Sequence, residues 1–266
     1  MGSEIMRKRL EAALISGLQR LPCVPFYAGT RGWYFIVSWC HRLSGILLVL
    51  LALFHIYTLE SIPETGRSFL LMFFQWALSI PVIFHAFNGA RIIRYECYGG
   101  REDEKMLRWV FSLLCVFVLL LAVLMVLGRH RVSPFFYWML MGPAALVSGY
   151  TLGARIWNKG HSLFWKLQRI SGAFLLVMIP AYMLFLQIQP SLNVEANVVV
   201  RGIQSFSIRA IYSLLLLAVL LHGGYGAWSV ANDYLSSRNQ GRVLAVGIAC
   251  LFLFFLWIGL RMILRI

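Results

Sequence analysis

Residues 107–128 read LRWVFSLLCVFVLLLAVLMVLG, and this stretch decides the class of fold. After Arg108 it contains no charged residue. About 20 predominantly apolar residues in a helix are enough to cross the hydrocarbon core of a bilayer. The rest of the chain has a similar composition: 60% of its 266 residues are hydrophobic and 13% are charged, against about 45–50% and about 25% in soluble domains. The sequence therefore predicts an all-α integral membrane protein.

Seven apolar runs are long enough to be transmembrane helices. The alternation of apolar and polar residues that marks a membrane barrel is absent, so the pattern favours helices over a barrel. The fourth run contains Gly and Pro and is the least typical span. The predicted spans are 33–58, 68–95, 107–128, 135–154, 164–188, 207–232 and 243–264.

The formal net charge of +14 would suggest nucleic-acid binding in a soluble protein. Here the basic residues lie between apolar runs, so contact with anionic membrane lipid is the better interpretation, and no nucleic acid is expected. The N-terminal segment and the second, fourth and sixth connections carry most of the Lys and Arg. The positive-inside rule then places the N-terminus in the cytoplasm. Within residues 1–30, apolar residues recur at helical spacing among basic ones, which predicts an amphipathic helix on the membrane surface.

A faint internal repeat divides the chain. Residues 41–45 read HRLSG and residues 168–172 read QRISG, and each stretch opens a span on the predicted cytoplasmic side. Each is followed by a run containing His-x-x-x-Gly and then by a final apolar run. We therefore predict two three-helix units, 31–130 and 161–266. A joining helix within 131–160 supplies the extra crossing that two units of the same orientation require.

Two of the histidines inside predicted spans, His85 and His222, each lie about ten residues before the cytoplasmic end of their span. An ionisable side chain in a membrane is costly and is usually functional. Neutral imidazoles at matched depth on two helices can hold a heme iron from both sides. His85 is followed four positions later by Gly89, and His222 by Gly226, so a flat group could lie against each helix. The alternative is that each histidine only forms hydrogen bonds between helices.

Three motifs extend this interpretation: VSWCHRLSG at 37–45, HAFNGAR at 85–91 and HGGYGAWSVANDY at 222–234. In type and order they resemble those of the membrane anchor of complex II, the succinate dehydrogenase and fumarate reductase family. The chain resembles the two three-helix anchor subunits of that family fused into one. The resemblance covers most of the chain but leaves the joining helix unexplained.

The resemblance implies one heme b with His85 and His222 as axial ligands. It also implies that His41 lies near the heme propionates and the quinone; the alternative is that His41 faces the lipid headgroups. Arg91 follows His85 by roughly 9 Å of helix rise, so it could meet a propionate at the cytoplasmic boundary. The implied quinone site lies at the cytoplasmic surface. Its residues are Ser38, Arg42, Asp233 and Tyr234.

The family also implies the partners. The chain has no flavin fingerprint and no iron–sulfur cysteines, so an iron–sulfur subunit and a flavoprotein subunit are expected as separate chains. The anchor itself would bind no dicarboxylate. Its expected location is the bacterial inner (cytoplasmic) membrane, as a multi-pass protein that passes electrons between the iron–sulfur subunit and quinone.

A sibling branch of the family holds a second heme. His55 resembles one ligand of that heme, but the position of the other is Tyr182, a poor partner for a bis-histidine site. One heme is therefore expected. Two other functions stay open: a heme-free scaffold or transporter, because pseudo-repeated halves also occur in transporters, and a b-type cytochrome of another dehydrogenase.

Overall fold

A computed structural model describes residues 2–19, 32–61, 69–99, 103–127, 133–188, 206–235 and 237–264. These residues form eight helices and their flanks. They are α1 (Gly2–Gln19), α2 (Gly32–Ser61), α3 (Phe69–Tyr98), α4 (Asp103–Leu127), α5 (Pro134–Ile156), α6 (Leu163–Ile188), α7 (Phe206–Asn232) and α8 (Arg238–Leu264). The all-α membrane fold predicted from the sequence is confirmed, and each predicted span has its helix.

Five helices are long and apolar enough to cross a membrane over their described residues: α3, α4, α6, α7 and α8. In α2 the described apolar part is the shorter Ile36–Leu51. Helix α5 is 23 residues long, but it is not among the five because its glycines, Pro143 and hydroxyl-bearing side chains lower its apolar character. The crossing of α5 and the cytoplasmic side of the N-terminus stay predictions.

Helix α1 confirms that the N-terminal segment is helical. Its apolar residues Ile5, Met6 and Leu10 are exposed, as a surface helix requires if it is to meet lipid. Arg7 lies 3.7 Å from Glu104 at the start of α4.

The C-terminal end of α3 is capped by a glycine and by hydrogen bonds from the segment after α5. Gly99 has a φ of 74°, which is the left-handed conformation that glycine adopts at helix ends without strain. Its backbone N–H donates to the carbonyl of Tyr95. Two carbonyls of the last turn accept hydrogen bonds from the segment around the end of α5: Lys159 donates to Glu96 and Cys97, and Arg155 Nε donates to Cys97. These bonds satisfy acceptors that a helix end would otherwise leave unpaired.

Four helices form the centre of the molecule. Helix α2 contacts α3, α3 contacts α6, α6 contacts α7, and α7 contacts α2, so the four close a ring. Helix α4 packs on α3 and α8 packs on α7, so the third helix of each predicted unit lies beside the second. The many exposed apolar side chains of α4 and α8, such as Val126 and Val243, suit contact with lipid tails.

Helix α5 packs mainly on α6. A core cluster between α5, α6 and α7 surrounds the fully buried Trp138, and Tyr182 packs against it. Tyr137 donates a hydrogen bond to the carbonyl of Ala181. Tyr182 therefore belongs to an aromatic core, and the side chain of His55 lies outside the described residues, so the expectation of a single heme stays a prediction.

Candidate functional site

The first histidine is held by the HRLSG motif of α2. His85 Nδ1 lies 3.2 Å from the backbone oxygen of His41 and 3.1 Å from Ser44 Oγ. Ser44 Oγ donates its own proton to the same His41 oxygen at 2.8 Å, so both neighbours of Nδ1 are acceptors. Nδ1 must therefore carry the proton of the neutral ring, and the lone pair is left on Nε2.

The second histidine is held in the same way by the QRISG motif of α6. His222 Nδ1 lies 3.1 Å from the backbone oxygen of Gln168. Ser171 Oγ donates to that oxygen at 3.0 Å, as Ser44 does in α2. The internal repeat seen in the sequence is thus a repeat of contacts. The first residue of each motif supplies the carbonyl that accepts the proton of the histidine on the following helix. Both rings have the tautomer that metal-binding histidines show when a carbonyl accepts their other proton.

The two histidines face each other across the ring of four helices. Their ring centres are 6.2 Å apart and their planes are inclined by 88°. Imidazole nitrogens that bind one metal at about 2.0–2.1 Å each lie about 4 Å apart, which places the two ring centres roughly 6 Å apart. The observed separation therefore suits two histidines that would hold one iron between them.

Glycines allow this close approach. A Cβ on Gly45 would lie 3.2 Å from His85 Cε1, and one on Gly172 would lie 3.0 Å from His222 Cε1. The fifth residue of each motif is therefore small because an imidazole edge lies against it. Gly89 and Gly226, where the sequence predicts room for a flat group, have other neighbours. A Cβ on Gly89 would lie 3.5 Å from His41 Cε1, and one on Gly226 would lie 3.3 Å from Gln168 Nε2.

His41 differs from its counterpart in the repeat. Its ring stacks on His85 with centres 4.0 Å apart and planes 12° apart, whereas the second motif has the side chain of Gln168 at this place. His41 Nδ1 and both side-chain polar atoms of the fully buried Asn88 have no hydrogen-bond partner within the described part of the protein. Buried polar atoms are rarely left unpaired without a reason.

Arg91 lies on α3 one and a half turns beyond His85. Its side chain is buried, and its guanidinium lies over the ring of Tyr95, 5.7 Å from the ring centre. A buried arginine and two unsatisfied polar side chains beside the histidines are suitable partners for a bound group with anionic oxygens. The residues present therefore fit a heme, with His85 and His222 as the ligands.

The residues predicted for quinone gather at one end of the bundle. Arg42 Nη2 lies 2.9 Å from Asp233 Oδ2, which joins α2 to the residue that follows α7. Ser38 precedes Arg42 by one helical turn and is exposed, and Tyr234, directly after Asp233, is also exposed. The structure thus brings Arg42 and Asp233 into contact and leaves Ser38 and Tyr234 accessible near them.

A second ion pair was not foreseen from the sequence. Arg169 binds Glu96 through two hydrogen bonds, Nε to Oε2 at 2.6 Å and Nη2 to Oε1 at 2.8 Å. Arg169 is the second residue of QRISG, as Arg42 is of HRLSG. Glu96 follows His85 by the same eleven positions that separate Asp233 from His222. That shared spacing is the signal that could have revealed the pair.

Similarity to known proteins supports the same interpretation of the histidines and of the fold. The family described as succinate dehydrogenase/fumarate reductase transmembrane subunit matches residues 33–126. The resemblance to complex II membrane anchor subunits is confirmed. A curated relative is similar too, the succinate dehydrogenase 2 membrane subunit SdhC of Mycobacterium tuberculosis, at 27% identity over 124 residues that cover 42% of this chain and 88% of that protein. No solved structure matches the chain.

The match to that family covers the first predicted three-helix unit. For the second unit the support is internal, because QRISG and His222 repeat the contacts of HRLSG and His85. The division into 31–130, 131–160 and 161–266 stays a prediction that these repeated contacts support.

Proposed function

We propose that this chain anchors a succinate:quinone oxidoreductase or quinol:fumarate reductase in the bacterial cytoplasmic membrane. It holds one heme b between His85 and His222 and binds quinone beside Arg42. Electrons pass between a partner iron–sulfur subunit and the quinone pool. The observation that carries the proposal is the facing pair of histidines, 6.2 Å apart, each with its Nδ1 proton on a carbonyl.

The bonds to Nδ1 are what make these histidines suitable ligands. A carbonyl that accepts the Nδ1 proton fixes the ring orientation and raises the basicity of Nε2. The two glycines and the two serines hold the carbonyls and rings in register. A heme bound there supplies a one-electron carrier, while the chain supplies its orientation and its apolar surroundings.

Quinone reduction adds two electrons and two protons to form the quinol. Donors must be available to the carbonyl oxygens, and the charge of the reduced ring needs a cation nearby. The hydroxyls of Ser38 and Tyr234 provide the donors in this proposal, and Arg42 provides the cation. Asp233 is about half exposed and paired with Arg42, so it can exchange protons with water and pass them inward.

The exposure of this site indicates where partners bind. Arg42, Asp233 and Tyr234 all keep between about a third and a half of their surface accessible, although a quinone site works best when water is excluded. We propose that the iron–sulfur subunit covers this end of the bundle and completes the site, and that the flavoprotein subunit binds to that subunit in turn.

The heme content of the purified complex tests the central part of the proposal. A pyridine hemochrome assay should give about one heme per chain, and His85→Ala and His222→Ala should each lower this at least about 10-fold because an axial ligand is lost. His161→Ala is the matched control, since His161 is exposed in the connection between α5 and α6. Wild-type complex without heme would refute the cytochrome function, and two hemes per chain would refute the single site.

A further inference from the structure

The ion pair between Arg169 and Glu96 joins the two halves of the site. Glu96 lies on α3, the helix that carries His85. Arg169 lies on α6, next to Gln168, whose carbonyl holds His222. A continuous set of bonds therefore runs from the helix of one histidine to the acceptor that orients the other.

The same connection occurs in reverse on the opposite side. Asp233 follows the helix that carries His222, and it binds Arg42, which is next to His41, whose carbonyl holds His85. Each motif thus orients the histidine of its own half and is anchored, through its arginine, to the helix of the other half. This reciprocal arrangement controls how far apart and at what angle the two rings stand.

The two ion pairs differ in rigidity. Arg169 makes two hydrogen bonds to Glu96 and a third to the side chain of Gln168, and its guanidinium lies over the ring of Trp165. The side chains of Arg169 and Glu96 are 17% and 35% exposed, against 39% and 48% for Arg42 and Asp233. Within the described residues, Arg42 makes a single contact of 2.9 Å to Asp233. A bidentate pair with a largely buried arginine holds its geometry better than a more exposed pair with one contact.

The segment that joins the halves adds to this difference. Lys159 donates to the carbonyls of Glu96 and Cys97, and Arg155 donates to that of Cys97. Both donors come from the end of α5 and the connection after it, which the repeat does not duplicate. The joining segment therefore pairs the last carbonyls of α3, while Asp233 and Tyr234 lie exposed at the equivalent end of α7.

We propose that Arg169 and Glu96 are positioning residues for His222, and that together they set the separation and relative angle of the two histidines. Their pair is the bidentate and less exposed counterpart of Arg42 and Asp233, the pair assigned to quinone. The inference rests on the proposed heme function. It assigns to Glu96 and Arg169 a role that acts through Gln168 and not through contact with heme or quinone.

The test uses the whole complex with Glu96→Gln. The rate at which heme passes to excess apomyoglobin should rise about 10-fold, as is typical when a residue that orients a metal ligand is removed. The largest g value of the ferric heme should fall, because nearly perpendicular axial imidazoles give a larger value than parallel ones. The KM for quinone should stay at the wild-type value. Glu96→Gln with unchanged heme loss and an unchanged g value would overturn the proposal.

Two comparisons separate positioning from general stability. Glu104→Gln removes an exposed carboxylate at the start of α4 and should change neither heme measurement. Asp233→Asn should change the KM for quinone more than it changes heme loss. Equal effects of Glu96→Gln and Glu104→Gln on heme loss would also overturn the proposal.

A conservative variant keeps the test decisive if Glu96→Gln fails to fold. If Glu96→Gln reduces the amount of chain in the membrane, Glu96→Asp retains the charge but shortens its reach, and it should still lower the largest g value. A wild-type g value in Glu96→Asp would count against positioning. Wild-type complex without heme would refute the proposed function itself and is recognised before any variant is compared.

Discussion

The pair Arg42–Asp233 and the pair Arg169–Glu96 occupy equivalent places in the two halves but differ in exposure. The first is accessible from one end of the bundle, and the second is bidentate and less exposed, with its arginine largely buried. An internal repeat therefore need not repeat a function: the same arginine–carboxylate contact can hold a structure together on one side and remain available to a substrate on the other. Exposure and the number of bonds decide between the two.

Arg42→Gln is expected to have the largest effect on quinone reduction. The proposed quinone site would lose its cation, and hydrogen bonds to charged groups contribute about 1.5–3 kcal/mol, so kcat/KM for quinone should fall at least about 10-fold. Arg169→Gln, its counterpart, should leave the KM for quinone unchanged. Steady-state quinone reduction by the two variant complexes measures the contrast, and equal KM changes would show that the two pairs do not differ in function.

Glycine substitutions sharpen the comparison at the histidines. Gly172→Ala places a Cβ 3.0 Å from the ring of His222, and Gly45→Ala places one 3.2 Å from the ring of His85. Overpacking of this kind costs about 1–3 kcal/mol, so both variants should lose heme at lower temperature, Gly172→Ala more than Gly45→Ala. Heme absorbance during thermal unfolding of the solubilised complex measures this.

The matched control for these substitutions is Gly223→Ala. A Cβ at Gly223 would meet nothing within 4 Å, and alanine in a helix is favoured over glycine by about 0.5–1 kcal/mol. Its melting temperature should stay the same or rise. A destabilised Gly223→Ala protein would indicate that glycine-to-alanine changes in these helices act through something other than the histidine contact.

Removal of a single hydroxyl should have a moderate effect. Tyr234→Phe takes one neutral donor from the proposed quinone site, which is worth about 0.5–1.5 kcal/mol, or about 2- to 10-fold in KM. Tyr150→Phe is the control, because Tyr150 is exposed on α5. Quinone titrations at saturating succinate distinguish them, and an unchanged KM in Tyr234→Phe would remove this residue from the site.

The smallest effect on stability is expected at the end of α3, where Lys159 donates to the last carbonyls. Lys159→Ala removes its hydrogen bonds to the carbonyls of Glu96 and Cys97, one exposed and one partly buried. Each contributes about 1 kcal/mol or less, and Arg155 still donates to Cys97. The melting temperature should fall slightly, and the KM for quinone should not change. A changed KM would mean that the joining segment also acts on the pair Arg42–Asp233.

Much of the fold could be predicted from apolar runs alone. The predicted spans 107–128, 164–188 and 207–232 agree closely with α4, α6 and α7. This success has a physical reason: in a membrane every backbone polar group must be paired within the segment, so a long apolar run has few alternatives to a helix. Helix α5 was harder to judge, because Gly149 and Gly153 pack against Ile170 of α6 and Gly142 packs against Ile211 of α7, and their effect depends on those contacts.

The candidate site was only partly predictable. Side-chain type and spacing singled out His85 and His222, but the role of Gly45 and Gly172 was missed because a glycine reveals nothing about what lies against it. Glu96 was missed as well, since a carboxylate near a helix end is ordinarily a solvated surface charge. Its meaning came only with its partner, Arg169, which is 73 positions away.

The sequence by itself determined that the chain is helical and lies in a membrane, and it indicated that two stretches repeat. Composition and spacing are local properties, and the membrane leaves them little freedom. The tertiary structure was needed to show that the repeat is reciprocal, with each arginine bound to the carboxylate of the opposite half. It was also needed to show that the pair Arg169–Glu96 is less exposed than the pair Arg42–Asp233. Such facts depend on which helices are neighbours and how much water reaches them, and no stretch of one helix contains that information.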